Sequence, residues 1–140
     1  MGHLGPDLLG PDWNEAEAVR RVSADSRAAH VALLDQRNVA GFGNVYANEL
    51  LFVRGIAPTT PANEIDVAAT IALGHRMIHA NLPRAERTFT GDSRPGRRMW
   101  VYGRDGAPCR RCGTPIRATT LGASATSERN VFWCPTCQPG

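Results

Sequence analysis

Apolar residues recur at three- and four-residue spacing as far as Asn81 and lose that period afterwards. In 13-WNEAEAVRRVS-23, apolar Trp13, Ala16, Val19 and Val22 recur as in a short amphipathic helix, and Asp12 with Glu15 has the form of a capping box. A second helical pattern, 27-RAAHVALLDQ-36, begins near Asp25 or Ser26. A third, 44-NVYANELLFVRG-55, has Asn44 placed to cap its start and Gly55 to end it. Thr60 and Pro61 introduce a longer one, about 63-NEIDVAATIALGHRMIHAN-81, with Ile65, Ala69, Ala72 and Ile78 among its apolar positions. The pattern predicts an all-helical unit over 13–83, preceded by a Pro- and Gly-rich, linker-like start over 1–12.

From 84 to 108 the chain is rich in Arg, Gly and Pro and has no helical period, which predicts an extended basic connector. From 109 to 138 short alternating stretches lie between paired cysteines. A hairpin of 115–121 and 129–134 with a polar tip, 122-GASATSE-128, fits that segment. The expected fold class is mainly α: a helical domain followed by a small four-cysteine finger.

Charge divides the chain in the same way. Residues 1–70 hold five Arg against nine acids, and residues 71–140 eleven Arg against four, so the second half is the expected polyanion partner. The chain contains no Lys, and hence no side-chain amine able to form a Schiff base. No apolar run approaches the ~18 residues of a transmembrane helix, and the start lacks a signal-peptide pattern. A soluble, cytoplasmic protein with no membrane partner is expected.

The strongest chemical signal is 109-CRRC-112 with 134-CPTC-137. Cys109, Cys112, Cys134 and Cys137 supply the four thiolates that Zn²⁺ prefers in structural sites, and with all positions taken by sulfur none is left for an activated water. One structural zinc is expected. His75 and His79 stand at i and i+4 but without an HExxH pattern or an acidic third ligand, so they read as one partly buried and one exposed histidine. His30 has still less context. In 41-GFGN-44 the two glycines break a helical pattern that resumes at once. Spacing alone leaves open a simple helix–helix turn and a site where bare N–H groups meet an anion.

Three phrases taken together, 33-LLDQRNVAGFGNVYANELLFVRGIAP-58, 100-WVYGRDGAPCRRCGTPI-116 and 133-WCPTCQ-138, closely resemble the C-terminal half of the Fpg/Nei family of DNA glycosylases. The resemblance covers nearly the whole chain, and the 4-LGPDLL-9 opening leans towards the endonuclease VIII-like branch. It implies a helix-two-turn-helix element and a zinc finger that together clamp damaged DNA. It implies that Asn44 contacts a phosphate beside the lesion, assisted by backbone N–H groups around Gly41 and Gly43. Arg129, five residues before Cys134, matches the hairpin arginine that contacts phosphates and donates a proton in δ-elimination. The family's attacking N-terminal proline and its adjacent glutamate belong to a catalytic domain not contained in these residues. The chain is therefore expected to be the DNA-binding half of a bifunctional glycosylase and abasic-site lyase that removes oxidised bases, with that catalytic domain as partner and no activity alone. The alternative is a free-standing zinc-ribbon module that binds nucleic acid without any enzyme context.

Overall fold

The structure is a computed structural model that describes residues 5–82, 88–92, 94, 96–122 and 128–139. Most of the polar finger tip, the start of the basic connector and the first four residues lie outside the described residues. The elements run α1 (Glu15–Ser23), α2 (Ala29–Leu34), α3 (Asn44–Arg54), a 3-10 turn (Ala62–Glu64), α4 (Val67–Asn81), β1 (Arg117–Leu121) and β2 (Arg129–Trp133).

Helix starts differ from the pattern-based reading, each for a local reason. Asn14, not Asp12, caps α1 by accepting from the Glu17 amide at 3.0 Å. The later start leaves Trp13 outside the helix, where its ring stacks on His75 of α4 at 4.9 Å. The second helix is shorter than expected because Asp25 spends its carboxylate on the amide and guanidinium of Arg27. With no side-chain cap, the first amides of α2 find acceptors in the chain before the 3-10 turn: Ala29 bonds Thr60 O at 2.7 Å and His30 bonds Pro58 O at 3.2 Å. In the last helix Asp66 is the cap, accepting from the Ala69 amide at 3.1 Å, so Ile65 precedes the helix. Gly55 ends α3 in the left-handed region at φ 71°, and Ile56 N reaches back to Leu51 O at 2.9 Å, the arrangement its position predicts.

Two apolar clusters share α3. Leu8, Val22, Leu33, Phe42, Leu50, Leu51, Ile71 and Ile78 belong to the larger, between the helices. The smaller gathers Phe52, Val101, Cys109, Ile116 and Cys134, with Trp100 and Phe132 against it. Every residue of α3 from Tyr46 to Phe52 is buried, including Asn48 and Glu49. A polar group so placed must be bonded or it destabilises the fold. Asn48 Oδ1 accepts from the Phe132 amide at 2.7 Å, and the Glu49 carboxylate accepts from the amides of Trp100, Val101 and Tyr102 at 2.6, 2.9 and 3.0 Å. Gln138, also buried, accepts from Cys134 N and donates to Ile56 O, both at 2.9 Å. These bonds dock the cysteine-rich region on α3, and with it the segment around Trp100 that the sequence places in the connector.

The hairpin is antiparallel, with Arg117 opposite Trp133, Thr119 opposite Val131 and Leu121 opposite Arg129. Val131 faces inward while Arg129 and Asn130 are exposed. Hence β2 carries its polar end past the start of α3.

Candidate nucleic-acid interface

The turn before α3 is built around its own side chain. Phe42 is buried and covers Gly74 of α4, where an added Cβ would lie 2.4 Å from the phenyl ring. Gly41 takes φ 118°, a conformation open to glycine at little cost, and its amide bonds Gln36 Oε1 at 3.1 Å. Gly43 is exposed in ordinary extended backbone, with nothing within 4 Å of a would-be Cβ. It occupies the N-cap of α3 and brings no side-chain cap, which places Asn44 as the first helical residue instead of the cap. The positive end of an eleven-residue helix therefore opens outward at Gly43.

Beside this turn runs a groove of about 470 Å³ between α2, the turn and the hairpin. Arg27, His30, Arg37, Asn44 and Arg129 all line it. Arg27 is tied to Asp25 at 2.6 Å and to Asp35 at 2.8 Å, and Arg37 to Asp35 at 3.0 Å. Those guanidinium groups hold the Asp25 and Asp35 carboxyls below the usual carboxylate range. Arg129 is exposed, donates to Glu128 O at 3.0 Å, and has no carboxylate partner among the described residues. Among the described residues it is the groove-lining arginine not paired with a carboxylate.

Asn44 links the two sides. Its Nδ2 donates to Asn130 O on β2 at 2.8 Å, and its Oδ1 lies 2.8 Å from His30 Nε2 and 3.1 Å from Asn48 Nδ2. His30 is fully buried, and burial lowers its pKa, with the Asn44 bond acting weakly the other way. Sequence reasoning passed over His30, Asn48 and Glu49. The last two carried a readable signal: polar residues inside an otherwise apolar helix, with Asn48 one turn from Asn44. His30 carried none, since its partner lies across a turn. His75 is partly buried and stacks on Trp13, and the exposed His79 lies 2.9 Å from Leu8 O, the structural roles expected of them.

The sulfurs of Cys109, Cys112, Cys134 and Cys137 all lie within 4.8 Å of one another, with Cys109–Cys137 at 3.9 Å and Cys112–Cys134 at 3.4 Å. No disulfide joins them. A tetrahedron with metal–sulfur bonds of ~2.3 Å has sulfurs about 3.8 Å apart, so the donor set can hold a metal ion. The thiols differ: hydrogen bonds with the Thr114 hydroxyl and amide lower Cys112 to about 6, while burial and then the neighbouring sulfurs push Cys137 up to about 12. A divalent cation bound there would offset the repulsion of four thiolates in so small a volume. Among the described residues no helix is long and apolar enough to cross a membrane.

A glycine turn and the start of α3 thus face the hairpin of a four-cysteine knuckle across a groove lined by Arg27, Arg37 and Arg129. The chain belongs to the family of the formamidopyrimidine-DNA glycosylase H2TH domain, whose profile matches residues 4–91. It is 49% identical over 140 residues to the DNA-(apurinic or apyrimidinic site) lyase Nei2 of Mycolicibacterium smegmatis, covering 99% of this chain and 54% of that protein. Its fold is similar to that of the MutM (Fpg) protein from Thermus thermophilus, with TM-score 0.77, 31% identity, and coverage of 97% of this chain and 54% of that one. It is also similar to Lactococcus lactis Fpg in complex with an abasic-site-containing DNA, with TM-score 0.73, 27% identity, and coverage of 99% and 53%. Within the family the chain leans to the endonuclease VIII-like side, and it spans about half the length of the relatives it matches.

Proposed function

We propose that this chain is the mainly α, DNA-gripping half of an endonuclease VIII-like bifunctional glycosylase and abasic-site lyase, which excises oxidised bases and nicks the strand in base excision repair. The observation that carries the reading is the convergence of Asn44, the open start of α3 and Arg129 on one groove. Taking a base out of the stack costs a few kcal/mol, and the duplex must be held while that happens. Contacts to phosphate provide the hold without reading sequence. In this account Asn44 Nδ2 and the amides around Gly41 and Gly43 hold one phosphate, and Gly43 offers the closest backbone approach, since the Gly41 amide is engaged by Gln36. Arg129 faces the same strand from the hairpin and donates the proton in δ-elimination when the catalytic domain is present.

The ion held by Cys109, Cys112, Cys134 and Cys137 is Zn²⁺, on the chemistry of an all-thiolate tetrahedron. Its contribution is to fold the knuckle on which β1 and β2 stand. The protein acts inside the cell on DNA, without a membrane.

Fluorescence titration of the zinc-loaded chain with a duplex carrying an abasic-site analogue tests the reading. Salt-sensitive binding, weakened by both Asn44→Ala and Arg129→Ala, is expected. Wild-type affinity in both variants, with melting unchanged, would refute it.

A further inference from the structure

The amide of Asn44 has only one orientation consistent with its surroundings. Asn130 O, 2.8 Å away, is a carbonyl and can only accept, so the group facing it is Nδ2. Oδ1 then faces Asn48 Nδ2, and the sense of Asn48 is fixed in turn because its own Oδ1 accepts from the Phe132 amide at 2.7 Å. The remaining neighbour of Asn44 Oδ1 is His30 Nε2 at 2.8 Å, which must be protonated and donate. His30 is completely buried, and its Nδ1 meets no hydrogen-bond partner among the described residues. For stability alone this is a poor choice: one neutral hydrogen bond is set against a desolvated ring nitrogen with nothing to bond.

We infer that His30 is a positioning residue that locks the Asn44 amide with its oxygen inward and its N–H groups towards the groove and β2. This rests on the reading of Asn44 as a phosphate contact and adds what makes that contact directional. One N–H of Asn44 holds Asn130 O, and the second remains for a phosphate oxygen. Without the His30 donor, Oδ1 keeps only Asn48 Nδ2, which is shared with the backbone carbonyls of Asn44 and Asn130, so the amide turns over more readily and for part of the time presents an acceptor to an anion. The charge-assisted bond to phosphate is then lost on average, although neither Asn44 nor the groove has been removed.

Five proteins and one spectrum decide it: wild type, His30→Leu, His30→Gln, Asn44→Ala and the double variant His30→Leu/Asn44→Ala, each zinc-loaded, titrated with a fluorescent abasic-site duplex and melted. Asn44→Ala tests the underlying phosphate contact. Given that it weakens binding, His30→Leu is expected to weaken it about tenfold with melting near wild type, and His30→Gln, which keeps a donor, to restore most of it. The leucine substitution should add nothing in the Asn44→Ala background. Wild-type affinity in His30→Leu, or an equal loss in both backgrounds, would overturn the positioning role and leave the Asn44 contact standing. If His30→Leu does not fold, or if Asn44→Ala binds as wild type, the imidazole ¹⁵N spectrum of the unaltered protein still decides the lock. A proton on Nε2 at neutral pH is required, and a proton on Nδ1 alone would contradict it.

Discussion

The side-chain amide of Asn44 belongs to both parts of the molecule: it starts α3 and holds the carbonyl of Asn130 on the finger. Replacing it with Ala is expected to reduce DNA affinity about tenfold, close to one charge-assisted hydrogen bond. Arg129→Ala should lower affinity for all sequences alike and reduce the slope of log affinity against log salt by about 1. An unchanged slope in that variant would remove Arg129 from the phosphate contacts. Glu49 shows the opposite kind of polar residue, buried and purely organising. Burial raises its carboxyl above the ordinary value while three amides act to lower it. Glu49→Gln turns a donor towards those amides, and a loss of about 1–3 kcal/mol in urea unfolding is expected. Asn44 was singled out because the whole phrase around 41-GFGN-44 resembles the family, whereas the glycines alone left a plain helix–helix turn equally open. Glu49 was marked locally as a charge inside an apolar helix, but what it bonds was not, since its partners are amides about fifty residues away.

At the level of elements, the helical periods of α1, α3 and α4 and the alternation of the hairpin were sufficient to predict all of them, whereas the starts were misplaced. Asp12, Asn14, Asp25 and Asp66 are all competent caps by chemistry, and tertiary partners chose among them: Trp13 packs against His75, and Asp25 is taken by Arg27. The contact of Phe42 with Gly74 had no local signature either. Gly74→Ala puts a Cβ 2.4 Å from the Phe42 ring, so it should destabilise the fold by about 1–3 kcal/mol and disturb the glycine turn with it. Unchanged urea unfolding would show that the ring can move aside. The flank of α2 is expected to be acid-sensitive. Because Asp25 and Asp35 have lowered pKa values in the folded state, their contribution is complete above the ordinary carboxylate value of about 4 and is lost as pH falls below it. Amide spectra collected down the pH scale should show Arg27 and Arg37 shifting in that range. No change there until general unfolding would contradict the ion-pair account.

For the molecule as a whole, α3 is the shared wall, with one cluster of apolar residues on the helical side and another around the cysteines. Removing the metal should therefore disorder the knuckle and expose Trp100, while far-UV circular dichroism keeps the signal of the helices, which retain their own core. Loss of both together would mean that the finger supports the helical core. In the function proposed above, the groove between the α3 start and the hairpin holds the DNA backbone. The most direct measurement is an NMR titration of the zinc-loaded protein with abasic-site duplex, following backbone amides, the Asn44 side chain and Arg129 Nε. The account predicts that the largest shifts fall on Gly43 to Tyr46, the Asn44 amide and Arg129, and that they fade as salt is raised. Shifts gathered on another face, with Asn44 and Arg129 unmoved at saturation, would contradict it.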